Sequence, residues 1–112
     1  MVKRAKVRYL VFDIHYGKPS PFSLMNELNA IIAKLYGLLL YAKYKPQLVL
    51  FDETTCTGIL RTTNEALPYL RASFLLLKSA YLHVHKVTGT ALKAKKLWKN
   101  LYAAKSSSLA NA

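Results

Sequence analysis

The stretch "KVRYLVFDIHYG", residues 6–17, alternates side chains with a period of two, and only a strand keeps such a pattern facing one way. Leu10, Phe12 and Ile14 share one face, and Tyr9, Val11, Asp13 and His15 share the other. The first set is wholly apolar and is assigned to the core. Beyond "GKPSP" the period changes to 3.6: Leu24, Leu28, Ile31, Ile32, Leu35 and Leu39 mark a helix that opens on Ser20 as cap and Pro21 as first residue. Gly37 is a stop or bend near its end. "KPQLVLFD" and "TGILRTT" read as two strands joined by a short turn around "ETTC". Thr62-Thr63-Asn64-Glu65 fits a capping box for a second helix with Leu67, Leu70, Phe74, Leu77 and Tyr81 as its stripe, and Pro68 argues for a later start. "LHVHKVTG" is a fourth strand. A basic helix follows from about Ala91 to Ala104, with Leu97, Trp98 and Leu101 on its inner side.

The order β-α-β-β-α-β is that of an α+β, ferredoxin-like or RRM-like split βαβ-βαβ fold, a four-stranded antiparallel sheet plus the basic C-terminal helix. One domain is expected over residues 1–105, with 106–112 as a frayed tail. Two helices should cover one face of the sheet. The other face is expected to be open, with Tyr9, Val11, His83 and His85 as candidates for contact with a partner.

Charge narrows the partner. Seventeen Lys and Arg stand against five Asp and Glu, a net charge of +12, and no acid follows Glu65. So large an excess repels itself in the folded state and calls for an anion, nucleic acid before a membrane surface. The apolar stripe of the last helix is too small for membrane binding, and "LYGLLLYA" is too short to span a bilayer. With one cysteine, Cys56, and no targeting segment, a reducing compartment, the cytoplasm, is expected. The third strand lacks the aromatics on which RNA-recognition sheets stack bases, so recognition of the phosphate backbone is favoured. Candidate RNA-binding residues are Lys3, Arg4, Lys6, Arg8, Arg61, Lys86, Gly89, Thr90, Lys93, Lys95, Lys96 and Lys99. Gly89 allows a tight exit from the sheet, and Thr90 caps the basic helix, whose free N–H groups suit a phosphate.

Two other chemistries are weaker. His83 and His85 share a strand face, and pairing of strand four with strand one would bring His15 near them as three potential zinc ligands, but no Cys or carboxylate clearly supports them, and no metal site is assigned. The five acids form no constellation for hydrolysis, so no catalytic residue is assigned either.

The segments "RYLVFDI", "LYG", "GILR", "LRASFLLLKSAYL" and "VTGTALK", spread from Arg8 to Lys93, resemble protein component 2 of archaeal ribonuclease P, a family with a eukaryotic nuclear counterpart. The resemblance implies a subunit of the ribonucleoprotein that removes the 5′ leader from precursor tRNA. It implies an active site and Mg2+ held by the RNA, and no cofactor bound by the protein itself. It also implies assembly with the barrel-shaped protein component 3 and a second copy of the chain around the RNA's catalytic domain. Gly58, Ile59 and Arg61 fall on its third-strand motif, and Gly89, Thr90 and Lys93 on its fourth-strand exit. The alternatives are a ribosome-associated module that binds structured RNA in general, and a protein-interaction scaffold using the open sheet.

Overall fold

The computed structural model describes residues 6–110. The elements are β1 (Val7–Tyr16), α1 (Pro21–Tyr44), β2 (Gln47–Asp52), β3 (Thr57–Thr63), α2 (Leu67–Phe74), β4 (Tyr81–Thr88) and α3 (Ala91–Ala110). The strands form one sheet in the order β2-β3-β1-β4 with every neighbouring pair antiparallel. This is the split βαβ arrangement, and the fold is α+β and ferredoxin-like.

The alternation in β1 sorts as its chemistry demands. Leu10, Phe12 and Ile14 are buried together with Leu24, Leu28 and Ile32 of α1 and Leu70 and Phe74 of α2. Gly58 pairs with Phe12 across the β1–β3 ladder. A Cβ on it would stand 2.8 Å from Phe12 Cζ and 2.5 Å from the Leu50 carbonyl oxygen, so only glycine lets the aromatic ring lie flat on the strand.

α1 starts as its sequence directs: Ser20 Oγ accepts a hydrogen bond from the Ser23 N–H at 3.1 Å, with Pro21 in the first turn. Gly37 breaks the helical path at φ 87° and ψ 165°, a conformation open to glycine alone. The kink turns Leu38 and Leu39 outward, 76% and 90% exposed, so the last leucine of the predicted stripe belongs to the surface.

The capping box does not form. Thr63 Oγ1 accepts from the Ala66 N–H, while the Glu65 carboxylate turns to Tyr44 and Lys43. Pro68 tolerates only the first turn of a helix, and α2 accordingly begins at Leu67. It is also short. Leu77 reaches the core from irregular chain beyond Phe74, and Tyr81 opens β4. That irregular chain is held by Glu27 of α1, whose carboxylate accepts from the N–H groups of Lys78 (2.7 Å) and Ser79 (3.4 Å) and from the Ser79 hydroxyl. The Ser79 and Lys78 hydrogen bonds outweigh the small cost of burial and hold the Glu27 carboxyl below the usual glutamate range. A lowered pKa contributes stability that is fully present above about pH 4.3 and is lost as pH falls through the lowered value. Glu27→Gln is therefore expected to cost about 1 kcal/mol at neutral pH, reduced by solvent access to the carboxylate, and to leave a shallower loss below pH 4. Urea unfolding of both proteins at pH 7 and pH 3 measures this.

The second face of the sheet departs from expectation. α3 lies across it and buries Val11, Ile59 and Ala94 against Tyr9, Leu50, Leu97, Trp98 and Leu101. Trp98 Nε1 donates to Thr57 Oγ1 at 3.0 Å, so the indole satisfies its one polar group while it packs. Val11, 1% exposed, is thus a core residue and not a partner contact, and Tyr9 is half-buried beneath the same helix. The basic helix itself supplies the apolar stripe that an open face would have needed from a partner. It also continues to Ala110, through the segment expected to fray, because Ser106–Ala110 carries no helix breaker.

Candidate nucleic-acid interface

The β1–β3 and β1–β4 ladders set Tyr9 between Arg61 and Thr88, so the start of β1 and the ends of β3 and β4 share one end of the sheet. The N-terminus of α3 lies at that end too, tied down by Thr90: its hydroxyl accepts from the Lys93 N–H at 3.3 Å, and its carbonyl takes the Ala94 N–H and the Thr88 hydroxyl. Between the outer edge of β4 and α3 runs an open groove of roughly 580 Å³, lined among others by Lys86, Thr88, Gly89, Lys93, Lys96 and Asn100. Among the described residues, no carboxylate lines it. Arg8 adjoins the groove, since a Cβ on Gly89 would lie 3.2 Å from its Nη1. Gly89 has no positive φ, so it does not serve to turn the chain.

The other sequence candidates are placed apart. Lys95 and Lys99 are exposed on α3 outside the groove lining. Arg61 is exposed on β3, its Nη1 3.4 Å from Gln47 Oε1, in a second, smaller hollow with Lys45 and Thr63. Lys6 is exposed just ahead of β1 and tied through its backbone to Asn64. Lys3 and Arg4 lie outside the described residues.

The acids explain why so much charge stands free. Glu27 is spent on Lys78 and Ser79, Asp52 accepts from the Thr55 N–H and hydroxyl in the β2–β3 turn, and Glu65 meets Tyr44 and Lys43. Of the described lysines and arginines, only Lys43 and Lys105 approach a carboxylate within ion-pair distance.

At the opposite end of the same sheet face lies a cluster that the linear sequence conceals. Asp13, 2% exposed, projects beneath α3. Its Oδ1 lies 2.8 Å from His85 Nε2 and 3.3 Å from His83 Nδ1, and its Oδ2 lies 3.1 Å from His15 Nε2 and 2.9 Å from Lys105 Nζ. The β1–β4 ladder skips one residue on each strand, His85 between the Val11 and Phe12 pairings and His15 between those of Ile14 and Tyr16. Bulges re-aim side chains, and here the two extra residues are both histidines turned toward one carboxylate. The linear sequence sets no carboxylate beside His83 and His85; pairing of β1 with β4 supplies Asp13. His83 and His85, assigned to an open sheet face, belong to this cluster instead. Burial pushes the Asp13 carboxyl up, but the Lys105 hydrogen bond and the charges of His85, Lys105 and His15 together hold it below the usual range.

No helix among the described residues is long and apolar enough to cross a membrane. A search of curated proteins finds no match. A family model described as the Rpp14/Pop5 family of ribonuclease P matches residues 8–98, a span from the second residue of β1 to Trp98 that takes in the sheet, α1, α2 and the first two turns of α3. The chain belongs to the Rpp14/Pop5 family, whose members are protein subunits of the tRNA-processing nuclease ribonuclease P.

Proposed function

We propose that this chain binds the catalytic domain of ribonuclease P RNA and stabilises its folded, magnesium-binding form, assisting RNA-catalysed removal of the 5′ leader from precursor tRNA. The observation that carries this reading is the convergence of Lys86, Lys93 and Lys96 on one groove whose described lining holds no acid, with Arg8 beside it at Gly89. Folded RNA crowds phosphates, and a rigid cationic groove lowers the repulsion that otherwise demands high concentrations of Mg2+. The protein supplies charge and shape, and the metal-bound chemistry stays with the RNA. The capped start of α3 adds oriented N–H groups beside the groove.

Protein component 3 and a second copy of the chain complete the assembly in this reading, which works in the cytoplasm. The exposed leucines at 35, 38 and 39, around the Gly37 kink, supply an apolar surface for such a protein contact. The scaffold alternative relied on an open sheet face, which α3 occupies.

Reconstitution tests the proposal. Precursor tRNA cleavage is measured with the RNA and component 3 across a Mg2+ titration, with and without this chain. Addition of the chain is expected to move half-maximal activity to several-fold lower Mg2+. An unmoved titration, or cleavage by the proteins without RNA, overturns the reading.

A further inference from the structure

All three histidines of the chain gather on one buried carboxylate, and the RNA-binding groove uses none of them. The geometry points to a transition-metal site: Asp13, His15, His83 and His85 bind one Zn2+ ion, which displaces the Lys105 ammonium and clamps β1 to β4.

One ligand atom from each of the four residues, an imidazole nitrogen or a carboxylate oxygen, lies within 4.8 Å of all the others. A tetrahedral zinc with bonds of about 2.0–2.1 Å needs ligand atoms about 3.3 Å apart. Asp13 Oδ1 already stands 2.8 Å from His85 Nε2 and 3.3 Å from His83 Nδ1, while His15 Nε2 stands 3.1 Å from Oδ2. Closing the site brings the imidazoles toward one another and toward a single carboxylate oxygen, and their side chains, 38–49% exposed, have open space on the solvent side while Asp13 is buried. Three nitrogens and one oxygen form a donor set for zinc; Mg2+ prefers oxygen ligands and an octahedral shell.

The electrostatics favour the same occupant. With each imidazole serving as a donor to Asp13, three N–H groups and the Lys105 ammonium converge on one carboxylate in a chain of net charge +12. Neutral imidazoles that turn lone pairs toward a metal remove that crowding of positive ends. Lys105 Nζ, 2.9 Å from Asp13 Oδ2, supplies the counter-charge that the ion would supply when bound. It comes from α3, so zinc binding releases that helix's Lys105 tie to the sheet while fastening the two strands.

The test is calorimetric titration of the full, tag-free chain with ZnSO4, paired with Co2+ substitution read in the visible spectrum. The expected result is one saturable equivalent of Zn2+, unaffected by a large excess of Mg2+, with the strong d–d absorption of tetrahedral Co2+. His83→Gln and His15→Gln, both at half-exposed side chains that leave the core intact, are expected to weaken binding about a hundredfold. Lys105→Gln is expected to tighten it about tenfold by removing the competing charge. Cys56→Ser is expected to change nothing. Absence of a saturable equivalent overturns the proposal, as does binding that survives both histidine variants or disappears with Cys56→Ser. A carboxylate network with no metal role predicts that Lys105→Gln lowers thermal stability while zinc gives no heat, and that outcome also overturns it.

Discussion

Replacing Lys86, Lys93 and Lys96 together with alanine is expected to lower affinity for ribonuclease P RNA about a hundredfold at 0.15 M salt. The three ammonium groups line one groove and none has a carboxylate partner among the described residues, so each is free to neutralise a phosphate. Each such contact releases about one counterion, and removing three should make the plot of log affinity against log salt shallower by about 3. Folding stability should stay level or rise slightly, because the variant relieves self-repulsion. Removing the same charge at Lys18, Lys34 and Lys78, which lie away from the groove, should cost only a few-fold. Filter-binding or gel-shift titrations at several salt concentrations measure both variants. Equal losses from the two sets would mean that net charge, and not the groove, attracts the RNA.

Trp98→Ala carries the largest expected cost to stability, about 3 kcal/mol in urea unfolding. The indole is half-buried between α3 and the sheet, lies tilted against Tyr102 with ring centroids 5.2 Å apart, and donates to the fully buried Thr57. Its loss opens a cavity over Val11 and Ile59 and leaves α3 held by Leu97, Leu101 and the Lys105–Asp13 pair. Hydrogen exchange should then rise through α3 and stay slow in β1 and β3. Because α3 forms one wall of the groove, RNA affinity should fall with it. A variant as stable as the parent would show that α3 adds nothing to the fold, and the groove would lose its structural basis.

The elements that were legible in the sequence are those whose signals are local. Alternation placed β1 and chose its core face, because successive side chains on a strand point opposite ways whatever they pack against. Ser20-Pro21 placed the start of α1, and Gly37 its kink, through backbone preferences that need no neighbour. Pro68 likewise argued against the capping box of Thr62 and Glu65, since a ring without an N–H limits a helix in any context. The lysines of the groove were legible as charge, and their free state followed from the scarcity of acids.

What the sequence concealed depends on register and packing. The stripe Leu97, Trp98 and Leu101 was visible, but that it covers the second face of the sheet, and so buries Val11, was not, because a stripe does not specify the surface it meets. The grouping of Asp13 with His83 and His85, about 70 residues further on, required the β1–β4 pairing, and the approach of His85 and His15 required a bulge in each strand.

By itself, then, the sequence determined the strand and helix order, the α+β class and a strongly cationic surface. Those properties follow from local side-chain periodicity, backbone preference and charge count. The tertiary structure alone decided which lysines share a groove, which sheet face is closed and which carboxylate the histidines meet. Those relations are set by strand register and helix docking, where a shift of one residue sends every side chain to the other face.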